Sequence, residues 1–197
     1  MVRKKVQDTT SNTVKEYCLL KDKFTIIRDQ EIIDLLDNIN LEETFLDKNL
    51  NDDFPPDKNY IKNTNPFVWL ILNTWWPIVE NKYLSPYFPD KQIVLKDLAL
   101  NQGHTPGNIL WHSDKKDSDG YAVYNDTDII CLYYLNTLEV GSLQLKYSKT
   151  EEVISILPKK GNMIIINEIN SDLVHRIEPF DKEKYFRCVA RIGFKLI

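Results

Sequence analysis

The second half of the chain consists of short apolar runs separated by Gly, Asn, Asp and Pro. Runs of strand length at such short spacing predict many short strands arranged in a sandwich or jelly roll. One of these strands begins at Asn108 and leads into His112. The other predicted strands cover residues 92–100, 128–136, 142–147, 152–157, 162–167, 173–178 and 185–196.

The first half of the chain predicts support for this core. Residues 1–14 are polar and predict a loose arm, and the run Lys23–Ile27 predicts a short strand. The apolar residues within 31–38 suit one face of a helix, which Asp29 can cap. Residues 38–64 are acidic and interrupted by proline, which predicts a loop.

A long apolar stretch follows this loop. Asn65-Pro66 is a good helix start, because Asn caps well and Pro suits the first turn. Residues 67–83 are rich in large apolar side chains and predict a helix buried against a sheet. The alternative, an aromatic surface for a partner, depends on the three Trp residues of this stretch alone. Pro77 is expected to kink or end the helix.

A chain of 197 residues is long enough to bury one good core. We therefore expect one domain over residues 1–197. Residues 1–91 would form the loose arm and helical support, and residues 92–197 the jelly-roll core. The predicted fold class is mainly β with flanking helices (α+β), with the N-terminal helices packed on the sheet.

Charge and cysteine content argue against several classes of protein. A net charge of −4 disfavours a large nucleic-acid footprint, because phosphate binding depends on clustered Lys and Arg. Cys18, Cys131 and Cys188 form neither a disulfide framework nor a cysteine zinc site, and the last two lie in apolar runs typical of buried thiols. The chain shows no signal peptide and no apolar run of membrane-span length, so we expect a cytoplasmic protein without a membrane partner.

The candidate chemistry lies in the motif Trp-His-Ser-Asp at residues 111–114. On a strand, side chains two apart point to the same face, so His112 and Asp114 would project together with Ser113 turned away. One imidazole and one carboxylate are two ligands of the 2-His-1-carboxylate site of non-haem Fe(II) oxygenases. His175, on an apolar run, is the best third ligand among the three His of the chain. Taken alone, His-x-Asp is also typical of a solvated strand end, and a lone His of a satisfied core position.

Downstream segments complete a longer pattern, and they are Ile130–Asn136, Val140–Leu145, Asp172–Pro179 and Arg187–Phe194. In this order after the His112 motif, they resemble the prolyl 4-hydroxylase-like branch of the Fe(II)/2-oxoglutarate dioxygenases. The resemblance implies a double-stranded β-helix, the jelly roll of that family. It also implies a catalytic Fe(II) held by His112, Asp114 and His175, with 2-oxoglutarate as cofactor, O2 as co-substrate and ascorbate as a candidate reductant.

The same resemblance assigns a cofactor site. Arg187 would bind the C5 carboxylate of 2-oxoglutarate, since a guanidinium can hold a carboxylate through two hydrogen bonds. The hydroxyl of Tyr134 would reach the same carboxylate, and Leu132 and Leu143 would line the methylene chain. The alternatives are a surface ion pair between Arg187 and Glu178 or Glu183, and plain core packing for the leucines.

The sequence departs from the family pattern at a few positions. No Tyr occurs near Asn101-Gln102, and Gly141-Ser142 replaces a glycine pair. Arg191 and Gly193 stand where relatives often carry a small residue and an aromatic ring. By the period of two, Arg191 shares the face of Arg187, so it is a candidate substrate-binding residue, and the anionic group it binds could also belong to the cofactor. The structural alternative is a partner within the protein, either an acidic side chain or backbone carbonyl groups. His104, in a Gly- and Pro-rich loop, is not expected to be a ligand.

We therefore expect a hydroxylase that acts on a prolyl or other side chain of a peptide, or on a free amino-acid-like molecule. One alternative is an AlkB-like nucleic-acid demethylase. Such enzymes carry a second Arg six residues after the first on the last strand, and Gly193 stands there. The other alternative is a non-catalytic jelly-roll binding protein. The sequence indicates neither the substrate's identity nor the oligomeric state.

Overall fold

A computed structural model describes residues 4–5, 24–37, 71–101, 110–113, 127–147, 152–169, 172–181 and 183–197. The strands are β1 (Lys4–Lys5), β2 (Phe24–Arg28), β3 (Ile93–Asn101), β4 (Ile129–Tyr134), β5 (Leu143–Tyr147), β6 (Ile154–Ile156), β7 (Asn162–Asn167), β8 (Leu173–Ile177) and β9 (Val189–Leu196). Helix α1 spans Gln30–Leu36. Helix α2 consists of a π-helical turn at Ile71–Trp75, an α-helical turn at Trp76–Val79 and a π-helical turn at Glu80–Leu84.

The described strands form two sheets. The smaller sheet has the order β1-β6-β5-β8, and the larger sheet has the order β2-β7-β4-β9-β3. Neighbouring strands pair antiparallel, except that β1 pairs parallel with β6. Two facing sheets with helices on one side are the predicted mainly β jelly roll, so the predicted fold class is confirmed.

Strand β4 shows where the core lies, because all of its residues are buried. Ile130, Leu132 and Tyr134 belong to an apolar cluster between the two sheets. The alternate residues, among them Cys131 and Tyr133, belong to a second cluster between the larger sheet and the helices. A strand that is buried on both faces has apolar residues at nearly every position, which explains why β4 has no alternating polar residues.

Both described cysteines are buried thiols, as predicted. Cys131 faces the helices from β4, and its burial raises the pKa of the thiol. Burial likewise raises the pKa of Cys188 to about 12, although the positive charge of Arg187 acts in the opposite direction. These thiols behave as small apolar core groups.

Asp29 joins β2 to the helices. Its carboxylate caps α1 by accepting a hydrogen bond from the Glu31 backbone N–H at 2.9 Å, as predicted. It also accepts hydrogen bonds from Lys82 Nζ at 2.6 Å and from the Tyr83 hydroxyl. Burial acts to raise the pKa of Asp29, but the hydrogen bonds from Lys82 and Tyr83 outweigh it and hold this pKa below its usual value.

Helix α2 packs on the larger sheet, as its apolar sequence predicted. Trp75 is fully buried and contacts Tyr133 edge-on, with 5.6 Å between ring centroids. Trp76 stacks on Phe194 of β9 at 4.2 Å. Pro77 does not end this helix, because it lies in the α-helical turn at Trp76–Val79 between the two π-helical turns. None of the described helices has the length and apolar composition of a membrane span.

Several predicted boundaries need correction. Residues 110–113 form no strand, and His112 makes only an isolated bridge. The last strand begins at Val189, not at residue 185. The boundary predicted at residue 92 does not separate the sheets from their support, because β2 pairs with β7 and Lys4–Lys5 of the predicted arm pairs with β6. The loop predicted over 38–64 and the helix start at Asn65-Pro66 lie outside the described residues.

Candidate active site

His112 and His175 lie directly opposite each other in the isolated bridge. The His112 N–H donates to the His175 carbonyl oxygen at 3.0 Å, and the His175 N–H donates to the His112 carbonyl oxygen at 2.8 Å. Directly opposed residues of an antiparallel pair share one face. The two imidazole rings accordingly lie side by side, with centroids 4.3 Å apart. The structure thus brings together two of the predicted metal ligands, whereas Asp114 and His104 lie outside the described residues.

Both imidazoles are buried and oriented through Nδ1. His112 Nδ1 lies 2.8 Å from the carbonyl oxygen of Leu110. His175 Nδ1 lies 3.1 Å from a carboxylate oxygen of Glu168. An acceptor beside Nδ1 favours the tautomer in which Nε2 carries the lone pair that can bind a metal ion. Two neighbouring imidazoles arranged in this way fit the nitrogen donors of a 2-His-1-carboxylate iron site.

Trp111 holds the His112 segment from the outer side of the smaller sheet. Its ring lies 4.7 Å from Lys146 Nζ and 4.6 Å from the guanidinium carbon of Arg176. Arg176 follows His175 on β8 and donates a hydrogen bond to Gln144 at 2.8 Å. Cation–π contacts of this kind attach the short segment to β5 and β8 while His112 faces inward.

Glu168 is the site residue that the sequence did not single out. It follows β7, and its side chain is fully buried beside His175. Its other carboxylate oxygen accepts a hydrogen bond from the Ser113 hydroxyl at 3.1 Å. Ser113 is therefore buried as well, turned away from the His112 face but not toward solvent. The only sequence signal was one acidic residue directly after an apolar strand, a pattern that many surface turns also show.

Arg187 lies between the sheets, two residues before β9 and not on the strand itself. Its Nε donates to the Gly141 carbonyl oxygen at 3.1 Å, and its Nη2 donates to the Tyr134 hydroxyl oxygen at 3.4 Å. Among the described residues, no carboxylate forms an ion pair with Arg187, so the predicted alternative with Glu178 or Glu183 is not seen. A fully buried guanidinium beside neutral partners is a strong site for an anion.

Tyr134 is fully buried beside this guanidinium. Burial raises the pKa of its hydroxyl, and the neighbouring charge and hydrogen bond of Arg187 oppose that rise. The phenol therefore stays protonated. Since its oxygen accepts from Arg187, its O–H can donate to a further acceptor.

The predicted cofactor-lining leucines share this face. Leu132 and Leu143 belong to the cluster between the sheets, together with Tyr134. Arg191 lies opposite Leu132 in the β4–β9 register and is half-buried, so it too is on the inter-sheet face. Gly193 lies opposite Ile130 on the same face. Core packing accounts for the leucines equally well, since both are buried among apolar side chains.

No protein-family profile matches the sequence, and no curated protein matches it. Solved structures do match. A prolyl 4-hydroxylase structure from Phytophthora capsici is 21% identical, with a TM-score of 0.57 over 90% of this chain and 61% of that one. This chain therefore spans less than two thirds of that protein's length.

Two further structures are similar over nearly their whole length. A viral collagen prolyl hydroxylase from Paramecium bursaria Chlorella virus-1 is 14% identical, with a TM-score of 0.54 over 95% of this chain and 97% of that one. A Pseudomonas putida prolyl-4-hydroxylase is 14% identical, with a TM-score of 0.53 over 90% and 94%. At these identities the likeness concerns the fold, and this chain has the double-stranded β-helix fold of the prolyl 4-hydroxylases.

Proposed function

We propose that the protein is an Fe(II)- and 2-oxoglutarate-dependent dioxygenase that hydroxylates an amino-acid side chain. The observation that carries this proposal is the bridge between His112 and His175, which sets two imidazoles side by side with each Nδ1 directed at an acceptor. Asp114, adjacent to Ser113 in sequence, would supply the carboxylate that completes the ligand set.

The donor set suits iron, and the fold neighbours support that choice. HygX from Streptomyces hygroscopicus, a further fold neighbour with a TM-score of 0.50, was solved with iron bound. The viral collagen prolyl hydroxylase was also solved as a 2-oxoglutarate complex. Iron(II), when bound, supplies the centre at which O2 is activated with electrons from 2-oxoglutarate, which leaves as succinate and CO2. The chain's own task is to hold these reactants in fixed positions and to exclude water.

Arg187 and Tyr134 would hold the far end of 2-oxoglutarate. Arg187 is 1% exposed, and its described hydrogen-bond partners are neutral oxygens. A carboxylate bound there would gain charge-assisted hydrogen bonds from the guanidinium and a further one from the Tyr134 hydroxyl. Leu132 and Leu143 would cover the methylene groups, because they share the inter-sheet face with Tyr134.

The substrate is a peptide side chain, prolyl or other, or a free amino-acid-like molecule. Arg191 on the inter-sheet face would bind an anionic group of that substrate, and Gly193 would leave room beside it. A half-buried guanidinium on the inter-sheet face favours a ligand that carries a carboxylate. Prolyl side chains are the choice supported by three of the fold neighbours, which are prolyl hydroxylases.

The decisive experiment measures whether the purified chain consumes 2-oxoglutarate. The protein is stripped with a chelator, loaded anaerobically with Fe(II) and then exposed to O2 and 2-oxoglutarate, with and without ascorbate. We expect succinate to form slowly without substrate and faster when candidate peptides or amino acids are added. Mass spectrometry should then show a mass increase of one oxygen atom on the accepted substrate.

The matched control is His175→Ala, which removes one ligand from the bridge and retains the backbone hydrogen bonds to His112. It should form no succinate above the rate of Fe(II) alone. If the wild-type chain neither binds Fe(II) nor turns over 2-oxoglutarate, the proposal is wrong and a binding role for the jelly roll takes its place. Stimulation by single-stranded DNA instead of peptides would indicate a nucleic-acid substrate.

A further inference from the structure

Glu168 connects the two segments that carry the histidines. Its side chain is 0% exposed, and its backbone N–H donates to the Asp128 carbonyl oxygen at 2.8 Å. Its carboxylate contacts a residue on each side, with Oε2 3.1 Å from Ser113 Oγ and Oε1 3.1 Å from His175 Nδ1. A buried carboxylate is costly unless neighbouring groups compensate it. The Ser113 hydroxyl donates a hydrogen bond to it, and the His175 ring lies at ion-pair distance.

This connection matters because the backbone pairing is short. Residues 110–113 join β8 through the isolated bridge between His112 and His175. The chain of side-chain contacts from His175 through Glu168 to Ser113 runs alongside that bridge. Glu168 therefore fixes the angle of the His175 ring and, through Ser113, the position of the segment that carries His112.

We propose that Glu168 is a positioning residue that orients His175 for metal binding. Its carboxylate attracts the Nδ1–H of His175, which leaves Nε2 with the lone pair and restrains rotation of the ring. The Oε1 to Nδ1 contact is an ion-pair distance rather than a well-aligned hydrogen bond, so attraction to the carboxylate as a whole restrains the ring. This inference rests on the proposed iron site.

A purely structural role predicts different behaviour. If Glu168 only satisfied the Ser113 hydroxyl, its replacement would lower the stability of the fold and leave the metal affinity of the folded protein unchanged. A positioning role predicts weaker metal binding and an altered coordination spectrum in a folded protein. The two roles are separated by measuring metal affinity and unfolding on the same variants.

The test is a Co(II) titration of the full chain, followed by isothermal calorimetry and by the visible absorption of the bound ion. We expect Glu168→Ala to weaken Co(II) binding about 10- to 100-fold, the usual loss when a carboxylate behind a metal-binding His is removed. Glu168→Gln keeps the length of the side chain and one acceptor oxygen, so it should lose less Co(II) affinity than Glu168→Ala. Ser113→Ala should have the smallest effect, because Glu168 retains its contact with His175.

Asp29→Asn is the matched control, since Asp29 is also a buried carboxylate but contacts Lys82 and Tyr83 on the helix side of the larger sheet. It should lower stability and leave Co(II) affinity unchanged. If both Glu168 variants bind Co(II) with wild-type affinity and spectrum, the positioning role is wrong while the proposed function stands. If the wild-type chain binds no Co(II), both are wrong.

A second measurement needs no metal and covers the case in which Glu168→Ala does not fold. The chain has three His, so nitrogen-15 labelling of histidine gives a spectrum that single substitutions can assign. We expect His175 to carry its proton on Nδ1 in the wild type, and we expect this preference to be weaker in Glu168→Gln, which keeps only a neutral acceptor. A His175 ring protonated on Nε2 in the wild type would refute the proposed orientation.

Discussion

Arg187 donates a hydrogen bond to the Tyr134 hydroxyl oxygen at 3.4 Å, and its guanidinium carbon lies 5.3 Å from the centroid of the same ring. Both residues are fully buried between the sheets, although 53 positions separate them in the chain. A positive charge in an apolar interior gains most from an anion that completes its hydrogen bonds. We therefore expect Arg187 and Tyr134 to bind a carboxylate of 2-oxoglutarate.

Arg187→Ala should weaken 2-oxoglutarate binding by about 10- to 150-fold, which corresponds to the roughly 1.5–3 kcal/mol of a hydrogen bond to a charged group. Tyr134→Phe removes one hydrogen-bond donor and leaves the charge of Arg187, so it should lose less 2-oxoglutarate affinity. Calorimetry with Mn(II)-loaded protein measures both affinities. Arg187→Lys is the control that keeps the positive charge but not the planar set of guanidinium donors. Its 2-oxoglutarate affinity should lie between those of Arg187→Ala and Tyr134→Phe. Unchanged affinity in Arg187→Ala would place the cofactor elsewhere.

Replacing any one of His112, Asp114 and His175 by Ala should abolish Fe(II)-dependent turnover of 2-oxoglutarate. Loss of one ligand removes both a donor and the geometry that the other two require. Far-UV circular dichroism should remain that of the wild type, because the bridge between His112 and His175 is made by backbone atoms. Full turnover in the His175 variant would contradict the ligand assignment.

Gly141 and Gly161 form a natural pair for comparison, since both have positive φ, at 69° and 83°. A Cβ at Gly141 would lie 2.9 Å from the Phe180 ring and 3.2 Å from Arg187 Cδ. At Gly161 it would meet Arg28 and Ile33 instead. Each Gly→Ala change should lower the free energy of unfolding by at least about 1–2 kcal/mol, the cost of a left-handed backbone for a residue with a Cβ.

The two glycine variants should differ in cofactor binding. The Cβ of Gly141→Ala would crowd Arg187, the residue proposed to hold the cofactor, so 2-oxoglutarate affinity should fall together with stability. Gly161→Ala should lower stability alone. Urea denaturation and calorimetry on the same samples measure the two effects. Equal 2-oxoglutarate affinity in the two variants would show that the contact between Gly141 and Arg187 has no part in binding.

Asp29 should make stability depend on pH in the acid range. Its pKa is lowered in the folded protein, so its contribution is fully present above the unfolded pKa of about 3.9 and is lost as pH falls through the folded value. Asp29→Asn should lower the free energy of unfolding by about 1–3 kcal/mol at pH 7, since hydrogen bonds to a charged acceptor are lost. The difference between the two proteins should shrink below pH 4. A constant difference from pH 7 to pH 2 would contradict this explanation.

Arg191→Gln should weaken substrate binding and leave Fe(II) and 2-oxoglutarate affinities nearly unchanged. Arg191 lies on the inter-sheet face opposite Leu132. The cofactor carboxylate is proposed to bind a different residue, Arg187, which contacts Gly141 and Tyr134. For Arg191→Gln we expect a higher KM for a carboxylate-bearing substrate and more succinate formed per hydroxylation. Arg191→Lys is the control that retains charge. Equal coupling in wild type and Arg191→Gln would give Arg191 a structural role.

Much of the fold could be predicted because its signals are local. Strands β4, β5, β7 and β8 lie within two residues of their predicted ends, since each is an apolar run bounded by polar turns. The apolar run around His175 predicted a buried strand, and His175 lies on β8 between the buried Leu173 and Ile177. Asp29 capped the helix as expected because capping depends on neighbouring backbone donors alone.

The site itself depends on contacts between residues far apart in the chain. The pairing of His112 with His175, the hydrogen bonds of Arg187 to Gly141 and Tyr134, and the contact of Glu168 with Ser113 all join separate strands or loops. Local periodicity gives the face of a side chain but not the register between distant strands.

The sequence by itself therefore determined the kind of fold and the residue types that could bind iron and 2-oxoglutarate. Only the tertiary structure decided that β2 joins the larger sheet, that Arg187 precedes β9, and that Glu168 lies behind His175. The physical reason is that burial of the polar side chains of Glu168 and Arg187 is tolerated only where the assembled sheets bring hydrogen-bonding groups to them. The local pattern of apolar and polar residues does not predict which distant groups the assembled sheets bring together.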